Sequence, residues 1–322
     1  MRLYGRGVDA MGELLDGPRA RGAFLLRCVM EPPWAVRIQD EAPLSFMAVA
    51  RGETWVVPEG GEPVLLRPGD VALARGPQPY TVGDDPGTEP LAIIDPGQVC
   101  RTADGVDLAQ AMDLGVRTWG NDLDGSTVVL TGSYEAATTV GWRLLAALPA
   151  LVVMHRTDWD HPLVDYLAHE MARDEPGQEV VLDRLLDLLV IAVLRDWFAR
   201  PEAEAPAWWA AQADPVVGRA LRMLQNAPAH PWTVAELARA VGLSRAALAR
   251  RFSELVGEPP MTFLTGWRLA LAADLLREPD ATVTAIAARV GYGTPFALSA
   301  AFKRHHGVSP QEHRRRVTTR SA

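Results

Sequence analysis

The last third of the chain contains the same pattern twice. Residues 233–257 and residues 282–307 each read as a short helix, a turn with a glycine and a longer helix. Equivalent positions lie 49 or, after one inserted residue, 50 apart: Thr233/Thr282, Leu237/Ile286, Gly242/Gly291, Phe252/Phe302 and Gly257/Gly307. Two helices joined by a tight turn have the layout of a helix-turn-helix. The doubled pattern therefore predicts two recognition helices that reach successive major grooves of one DNA duplex.

The charge of the chain is divided unevenly along its length. The 322 residues have a formal net charge of −8, yet residues 215–322 hold 15 Lys and Arg against 7 Asp and Glu. The preceding residues hold 17 basic and 33 acidic side chains. This asymmetry predicts a basic domain that binds a polyanion and an acidic domain with a different task.

The first part of the chain predicts a β-rich domain. A turn at residues 67–70, Arg-Pro-Gly-Asp, separates two of the apolar segments, as a tight corner should. Short strands with such regular Gly and Pro interruptions indicate a barrel or a sandwich. The predicted strands are residues 24–30, 35–39, 44–49, 54–57, 63–66, 71–74, 80–82, 91–94 and 128–131.

The middle of the chain changes to a helical pattern. Residues 161–173 and 179–200 are predicted helices, and an Ala-, Pro- and Glu-rich segment follows them. The predicted division is an N-terminal domain over residues 1–200, a linker over 201–214 and a DNA-binding domain over 215–322.

The second of these predicted helices has a broad apolar stripe. Its residues recur at three- and four-residue steps, and such a stripe packs against another surface. Two interpretations stand side by side: packing on the barrel of the same chain, or pairing with a second copy in a homodimer. The residues in question are Leu182, Leu185, Leu186, Leu189 and Val193.

The first copy of the repeat predicts a DNA-reading helix. Thr233 and Glu236 suit a capping box, and Ser244 suits the N-cap of the second helix. At about 100° per residue, the residues predicted to face the core are Leu248, Phe252 and Leu255. Those predicted to face DNA are Ser244, Arg245, Ala246, Ala249, Arg250 and Ser253. Among them Arg250 suits bidentate recognition of guanine, worth about 1–3 kcal/mol of discrimination.

The second copy differs at its outward face. Ala300 occupies the position equivalent to Arg250. The residues predicted to contact DNA are Thr294, Phe296, Ser299 and Lys303, with Phe296 placed to touch a thymine methyl and Lys303 to hold phosphate. This helix is therefore interpreted as an anchor rather than a reader. A helix predicted over residues 260–277 would fix the spacing of the two copies.

These motifs resemble a known family. The doubled unit, Gly291-Tyr292, Phe302-Lys303-Arg304 and the closing Gly307-Val308-Ser309-Pro310 with Arg314 are similar to the AraC/XylS-type (arabinose-regulator) family of bacterial transcription factors. The resemblance covers about residues 215–316. More loosely, residues 49–52, residues 67–70 and Arg75-Gly76 resemble the cupin-type sensor domain of such regulators.

The resemblance implies a two-domain α+β protein. A cupin-like β-barrel with appended helices would precede an all-α domain with two helix-turn-helix units. It further implies double-stranded promoter DNA, RNA polymerase and a second copy of the chain as partners, with a small-molecule effector or another partner at the barrel. In relatives, an arginine on the second recognition helix often reads bases, and Ala300 stands at that position here. The expected location is the bacterial cytoplasm, at the nucleoid.

The barrel interior predicts a binding pocket rather than an active site. No histidine precedes His155, so a multi-histidine metal centre within residues 1–154 is impossible, and neither a cofactor nor an enzyme activity is expected. The candidate pocket residues are Trp34, Phe46, Met47, Trp55 and Tyr80, although such side chains are also typical of plain core. Cys28 and Cys100 form no CxxC pair and suit a reducing compartment; a redox switch would need an accessible thiolate.

Two other functions remain open at this point. One is a dimeric regulator without an effector, and the other is a cupin-type metalloenzyme fused to a DNA-binding domain. A membrane protein is not expected, because the longest apolar run of the helical middle, residues 188–194, is far shorter than the roughly 20 residues that span a bilayer.

Overall fold

The computed structural model describes residues 24–134 and 145–320, except residues 160, 174, 202 and 279, and it omits the side chains of residues 24 and 316–320. The chain divides into two compact units. One contains the β-strands and two helices, and the other comprises the helical region from Ala205 onward. No described helix is long and apolar enough to cross a membrane.

Two sheets form the N-terminal unit. Their strands are β1 (Phe24–Met30), β2 (Ala35–Ile38), β3 (Leu44–Arg51), β4 (Thr54–Pro58), β5 (Val64–Leu66), β6 (Val71–Arg75), β7 (Tyr80–Gly83), β8 (Ala92–Asp95), β9 (Val99–Arg101), β10 (Asp113–Gly115), β11 (Thr118–Gly120), β12 (Thr127–Tyr134) and β13 (Leu151–Met154). One sheet has the strand order β10-β11-β1-β12-β3-β6-β13, and the other has the order β5-β4-β7-β2-β8-β9. Pairing is antiparallel except for β1 with β11 and β2 with β8.

The corner between β5 and β6 forms as its sequence predicts. Gly69 has a φ of 89°, which glycine adopts without steric cost. The Asp70 carboxylate accepts the backbone N–H of Arg67 at 2.9 Å and that of Arg156 at 2.7 Å, and it contacts His155 Nδ1 at 3.0 Å. The buried Asp70 therefore joins this corner to the segment that follows β13.

Helices α1 (Leu163–Met171) and α2 (Gln178–Ala199) follow the sheets. They contact each other, α1 contacts β3 and α2 contacts β13. All five residues of the apolar stripe on α2 are at most 6% exposed within one chain. The prediction that Leu182, Leu185, Leu186, Leu189 and Val193 form a homodimer surface is therefore wrong. These side chains already pack inside the N-terminal unit and have no apolar area left to bury in a second copy.

The predicted linker, residues 201–214, differs in its second half. Helix α3 (Ala207–Ala210) and a 3₁₀ turn (Ala211–Ala213) occupy that half. Ala211 is buried in the core of the helical unit, and Trp208 packs against the same core. Composition suggested a linker, but these apolar residues gain more from burial than the segment loses by ordering.

The helical unit from Ala205 is built around α7 (Pro260–Leu275). Residues Phe263, Leu264 and Trp267 of α7 belong to the core of the first repeat, while Leu269 and Ala272 belong to the core of the second. The predicted role of this helix as a spacer agrees with that double packing. The remaining helices are α4 (Val217–Asn226), α5 (Val234–Ala240), α6 (Arg245–Val256), α7 (Pro260–Leu275), α8 (Val283–Arg289), α9 (Pro295–His306) and α10 (Pro310–Arg320).

Candidate DNA-binding surface and barrel cavity

Each repeat is a helix pair with the same start and stop signals. Oγ of Ser244 accepts the backbone N–H of Ala247 at 3.2 Å, and Oγ1 of Thr294 accepts that of Ala297 at 3.1 Å. Both recognition helices, α6 and α9, end at a glycine of positive φ, Gly257 and Gly307 respectively. Local sequence therefore sets the ends of both helices before tertiary packing is considered.

The outward face of α6 carries the residues predicted to contact DNA. Ser244, Arg245, Ala246 and Arg250 are exposed, and Ala249 and Ser253 are half-buried. The Arg250 side chain is 78% exposed, with its Nε 3.7 Å from Oε1 of Glu254. A surface pair of this length contributes little, so the guanidinium can leave Glu254 for a base edge.

The opposite face of α6 corrects one prediction about the core. Leu248 and Phe252 are fully buried, but Leu255 is 38% exposed and Val256 is buried in its place. The buried residues Leu248, Phe252 and Val256 follow one another at four-residue steps, so the core face is centred on Phe252, and Leu255 lies about 60° around the helix from it. The capping box is also incomplete: Oγ1 of Thr233 accepts the N–H of Glu236, while the Glu236 carboxylate contacts His230 Nε2 at 2.9 Å.

The outward face of α9 has a different chemistry. Phe296 is 85% exposed, Thr294 and Lys303 are exposed, and Ser299 is half-buried. Ala300 is exposed at the position equivalent to Arg250. This face therefore presents the Phe296 ring at one end and the Lys303 ammonium about two helical turns away. Between them, Ala300 stands where α6 has the guanidinium of Arg250.

Two arginines that the sequence analysis did not assign hold the helical unit together. Arg268 on α7 donates from Nε to the Pro228 carbonyl at 2.6 Å and from Nη2 to the His230 carbonyl at 2.8 Å. Arg314 on α10 donates to the carbonyls of Leu276 and Ala281. Each guanidinium satisfies two loop carbonyls beside one helix pair, which is a positioning role. Sequence gave no signal for it, since the acceptors are backbone atoms.

The N-terminal unit encloses a cavity of about 390 Å³ between its two sheets. Alternation along the strands determines its walls, because successive side chains point to opposite faces. In one sheet Cys28 pairs with both Trp119 and Val129, and in the other Ile38 pairs with Tyr80 and Ile94. All of these side chains line the cavity.

Three of the five predicted pocket residues line this cavity. They are Trp34, Met47 and Tyr80. Phe46 is fully buried but neighbours Met47 on β3, so it lies on the opposite face of the sheet, the face that α1 contacts. Trp55 is half-buried between Thr54 and Val56, which are both fully buried on the inner face. Alternation therefore excludes Phe46 and Trp55 from the cavity wall.

The cavity has a polar end that the sequence analysis missed. Oδ2 of Asp40 accepts from Gln98 Nε2 at 2.9 Å and from Ser133 Oγ at 3.4 Å. Oδ1 of Asp40 accepts the backbone N–H of Ala42 at 3.1 Å. Asp40, Gln98 and Ser133 all line the cavity. Their partners are distant in sequence, so no local pattern could have found this group.

The two cysteines and Tyr80 are neutral wall groups. Burial raises the pKa of the Cys28 thiol to about 12, and the nearby Cys100 adds to that rise. Burial likewise raises the pKa of Cys100 to about 11 and raises the pKa of the Tyr80 phenol. Both thiols therefore stay protonated at neutral pH, which makes them poor nucleophiles and metal ligands.

Comparisons with known proteins agree with this architecture. A family model described as cupin matches residues 9–199, and a model of a helix-turn-helix domain matches residues 237–316. A protein of Streptomyces lividans described as an AraC-like transcription regulator is 33% identical over 320 residues, with coverage of 97% of this chain and 99% of the relative.

Two further relatives extend over the same length. One is an AraC-like transcription regulator, so described, of Streptomyces antibioticus, 34% identical over 96% of this chain and 99% of its own. The other is the HTH-type transcriptional regulator AlkR of Acinetobacter baylyi, 27% identical over 95% of this chain and 99% of its own. Fold and matches together define a DNA-binding regulator with a cupin-type N-terminal domain. The chain belongs to the AraC family of transcriptional regulators.

Proposed function

We propose that this regulator binds promoter DNA through α6 and α9 and that a small molecule in the barrel cavity modulates its output. The cavity is the observation that carries the second half of this proposal. Its volume lies in the range of small-molecule sites, and its wall is mostly apolar with a few polar groups at one end, as in such sites generally. A plain packed core would leave no such space.

The two recognition helices have different tasks in this proposal. Helix α6 reads sequence: Arg250 reaches a guanine, small Ala246 and Ala249 allow close approach to the groove, and Arg245 holds phosphate. Ser244 and Ser253 add polar contacts to the backbone. The exposure of this face and the loose contact between Arg250 and Glu254, at 3.7 Å, support the assignment.

Helix α9 anchors the protein on the duplex. The exposed Phe296 ring contacts a thymine methyl, while Thr294, Ser299 and Lys303 hold phosphates. The absence of an arginine at Ala300 supports an anchoring role. The net positive charge of residues 215–322 supplies the sequence-independent part of the affinity.

The protein acts as a homodimer that engages RNA polymerase at cytoplasmic promoters, without catalysing a reaction. Because the apolar stripe of α2 is internal, pairing involves another surface. The outer face of α2 includes Val181 and Leu188, which are 37% and 52% exposed and lie two helical turns apart. These residues suit a contact with a second copy of α2.

Genome-wide capture of bound DNA fragments tests the DNA-binding half of the proposal. We expect enrichment of a few promoters that share one sequence motif. One position of that motif should be a guanine, and the preference for guanine there should depend on Arg250. Thermal-shift screening tests the effector half, since a ligand that binds only the folded state raises the melting temperature. A regulator without an effector would show promoter enrichment but no ligand-induced shift with any screened class. Enrichment that follows only DNA abundance would contradict the whole proposal.

A further inference from the structure

Within the described part of the chain, the charged residues that line the barrel cavity are Asp40, Asp113 and Arg117. Asp113 is exposed at the rim, and its Oδ1 accepts the N–H of Gly115 at 2.9 Å. Arg117 interacts electrostatically with Asp183 of α2: burial raises the pKa of that carboxyl, and Arg117 opposes the rise. The positive charge of Arg117 at the cavity therefore already has a negatively charged neighbour, Asp183, on α2.

Asp40 is hydrogen-bonded to neutral donors among the described residues. Its three hydrogen bonds come from the neutral donors of Ala42, Gln98 and Ser133. No Lys, Arg or His in the described ranges forms an ion pair with it. All three donors are neutral, so none of them contributes a positive charge beside the carboxylate. A partly buried anion of this kind gains from a positive ligand.

The rest of the wall suits the body of an organic cation. Trp34, Tyr80 and Trp119 line the cavity and are at most 8% exposed. Indole and phenol faces attract a cation through the ring quadrupole and bury its apolar substituents. The residues before 215 also carry 33 acidic against 17 basic side chains, a balance that concentrates cations near the unit.

We propose that the effector cavity selects lipophilic organic cations, with Asp40 as the counter-charge and the aromatic wall around the ammonium-bearing body. This inference rests on the proposed function, because it specifies the ligand class of the same cavity. Quaternary or protonated amines attached to an apolar or aromatic group fit these requirements. Carboxylates of the same size do not, since they would face Asp40 directly.

Calorimetric titration of the full chain with three matched probes tests the inference. Phenyltrimethylammonium is the cation, tert-butylbenzene is its neutral isostere and 3-phenylpropionate is an anion of similar size. The cation should bind at least about tenfold more tightly than the anion. In Asp40→Asn the Kd of the cation should rise by about tenfold or more, whereas the Kd of tert-butylbenzene should change less than about twofold.

Asp113→Asn is the matched control, because it removes a carboxylate at the exposed rim of the same cavity. It should change the Kd of the cation less than about twofold, since solvent screens that charge. Unchanged melting temperatures would verify that both variants fold. Tighter binding of 3-phenylpropionate, no binding of the cation, or equal effects of Asp40→Asn on cation and isostere would overturn the inference. If the inference fails in one of these ways but tert-butylbenzene still binds and the protein keeps its promoter preference, the proposed function stands and only the class of ligand is wrong.

Discussion

Arg250 is the residue on which recognition of the DNA sequence by α6 depends most directly. Its guanidinium is exposed on α6, and among the described residues it forms an ion pair with Glu254 alone, at 3.7 Å. Arg250→Ala should cost about 1–3 kcal/mol of affinity on the specific site and relax base preference at one position. Affinity selection from a library of randomised duplexes, compared between wild type and variant, measures both effects.

Lys303→Ala is the control for Arg250→Ala, because Lys303 lies on the anchoring helix. It should weaken binding to all sequences alike and lower the slope of log K against log salt by about one. If Arg250→Ala gave that uniform pattern and kept full base preference, Arg250 would be a phosphate contact.

Asp214 links pH to the stability of the helical unit. Its carboxylate accepts the N–H of Val217 at 2.8 Å and contacts Arg251 Nη2 at 2.6 Å, and these two contacts lower its pKa, the backbone bond most. A lowered folded pKa gives stability above the unfolded pKa that is lost as pH falls through the folded value. Asp214→Ala should therefore lower the free energy of unfolding by about 1–2 kcal/mol at pH 7, and the difference should shrink in acid.

Urea unfolding of the full chain at pH 7 and in acid measures the effect of Asp214→Ala. Asp280→Ala is a suitable control, since the Asp280 side chain is exposed in the same unit and forms no hydrogen bond or ion pair within the described part of the chain. A difference between wild type and Asp214→Ala that persists unchanged below the ordinary Asp pKa of 3.8 would contradict the linkage.

At the scale of elements, the two repeats use the same turn in different surroundings. Gly242 and Gly291 both have positive φ, at 78° and 84°. A Cβ at Gly242 would meet nothing within 4 Å, whereas one at Gly291 would lie 2.8 Å from Ala229 Cα and 2.9 Å from its carbonyl oxygen. Gly242→Ala should cost about 1–2 kcal/mol from the backbone alone, and Gly291→Ala should cost more.

Urea unfolding of both glycine variants measures that difference. The additional cost at Gly291 arises because the second turn packs on the loop before α5, where Arg268 also binds. Equal costs for the two variants would show that this loop yields easily and that the contact does not fix the spacing of the repeats.

Helix α2 provides a second prediction at this scale. Leu189 is fully buried and Leu188, its neighbour, is 52% exposed. Leu189→Ala should destabilise the N-terminal unit by about 2–5 kcal/mol, as core truncations do. Leu188→Ala should change the stability of the folded subunit by less than about 0.5 kcal/mol, and any loss of the proposed contact between two copies of α2 should show in how the melting temperature depends on protein concentration. Thermal unfolding of the two variants distinguishes the buried face of α2 from the exposed face. If Leu189→Ala left the melting temperature unchanged, that result would contradict the internal packing of the stripe.

At the scale of the whole molecule, the sequence predicted the parts that local signals determine. The capping residue Ser244, the turn at Gly69 and the apolar pattern within each repeat all act within a few residues. They give the helix ends, the corner and both helix-turn-helix units.

Features that depend on distant contacts could not be predicted in this way. The wall of the cavity combines residues from both sheets, so Phe46 and Trp55 could not be told from Met47 and Tyr80 by residue type. Asp40 receives its donors from Gln98 and Ser133, far along the chain. The stripe of α2 was equally suited to its own unit and to a second copy, and only packing decides between them.

Binding of the purified full chain to one captured promoter fragment, compared with a shuffled duplex of the same length and composition, tests the central claim most directly. At equal salt, the promoter fragment should bind at least about 10³-fold more tightly. Affinity for both duplexes should fall as salt rises, because phosphate contacts release counterions. Equal affinity for promoter and shuffled duplex at every salt concentration, with and without cationic effectors, would contradict the account of two groove-binding helices that read a specific site.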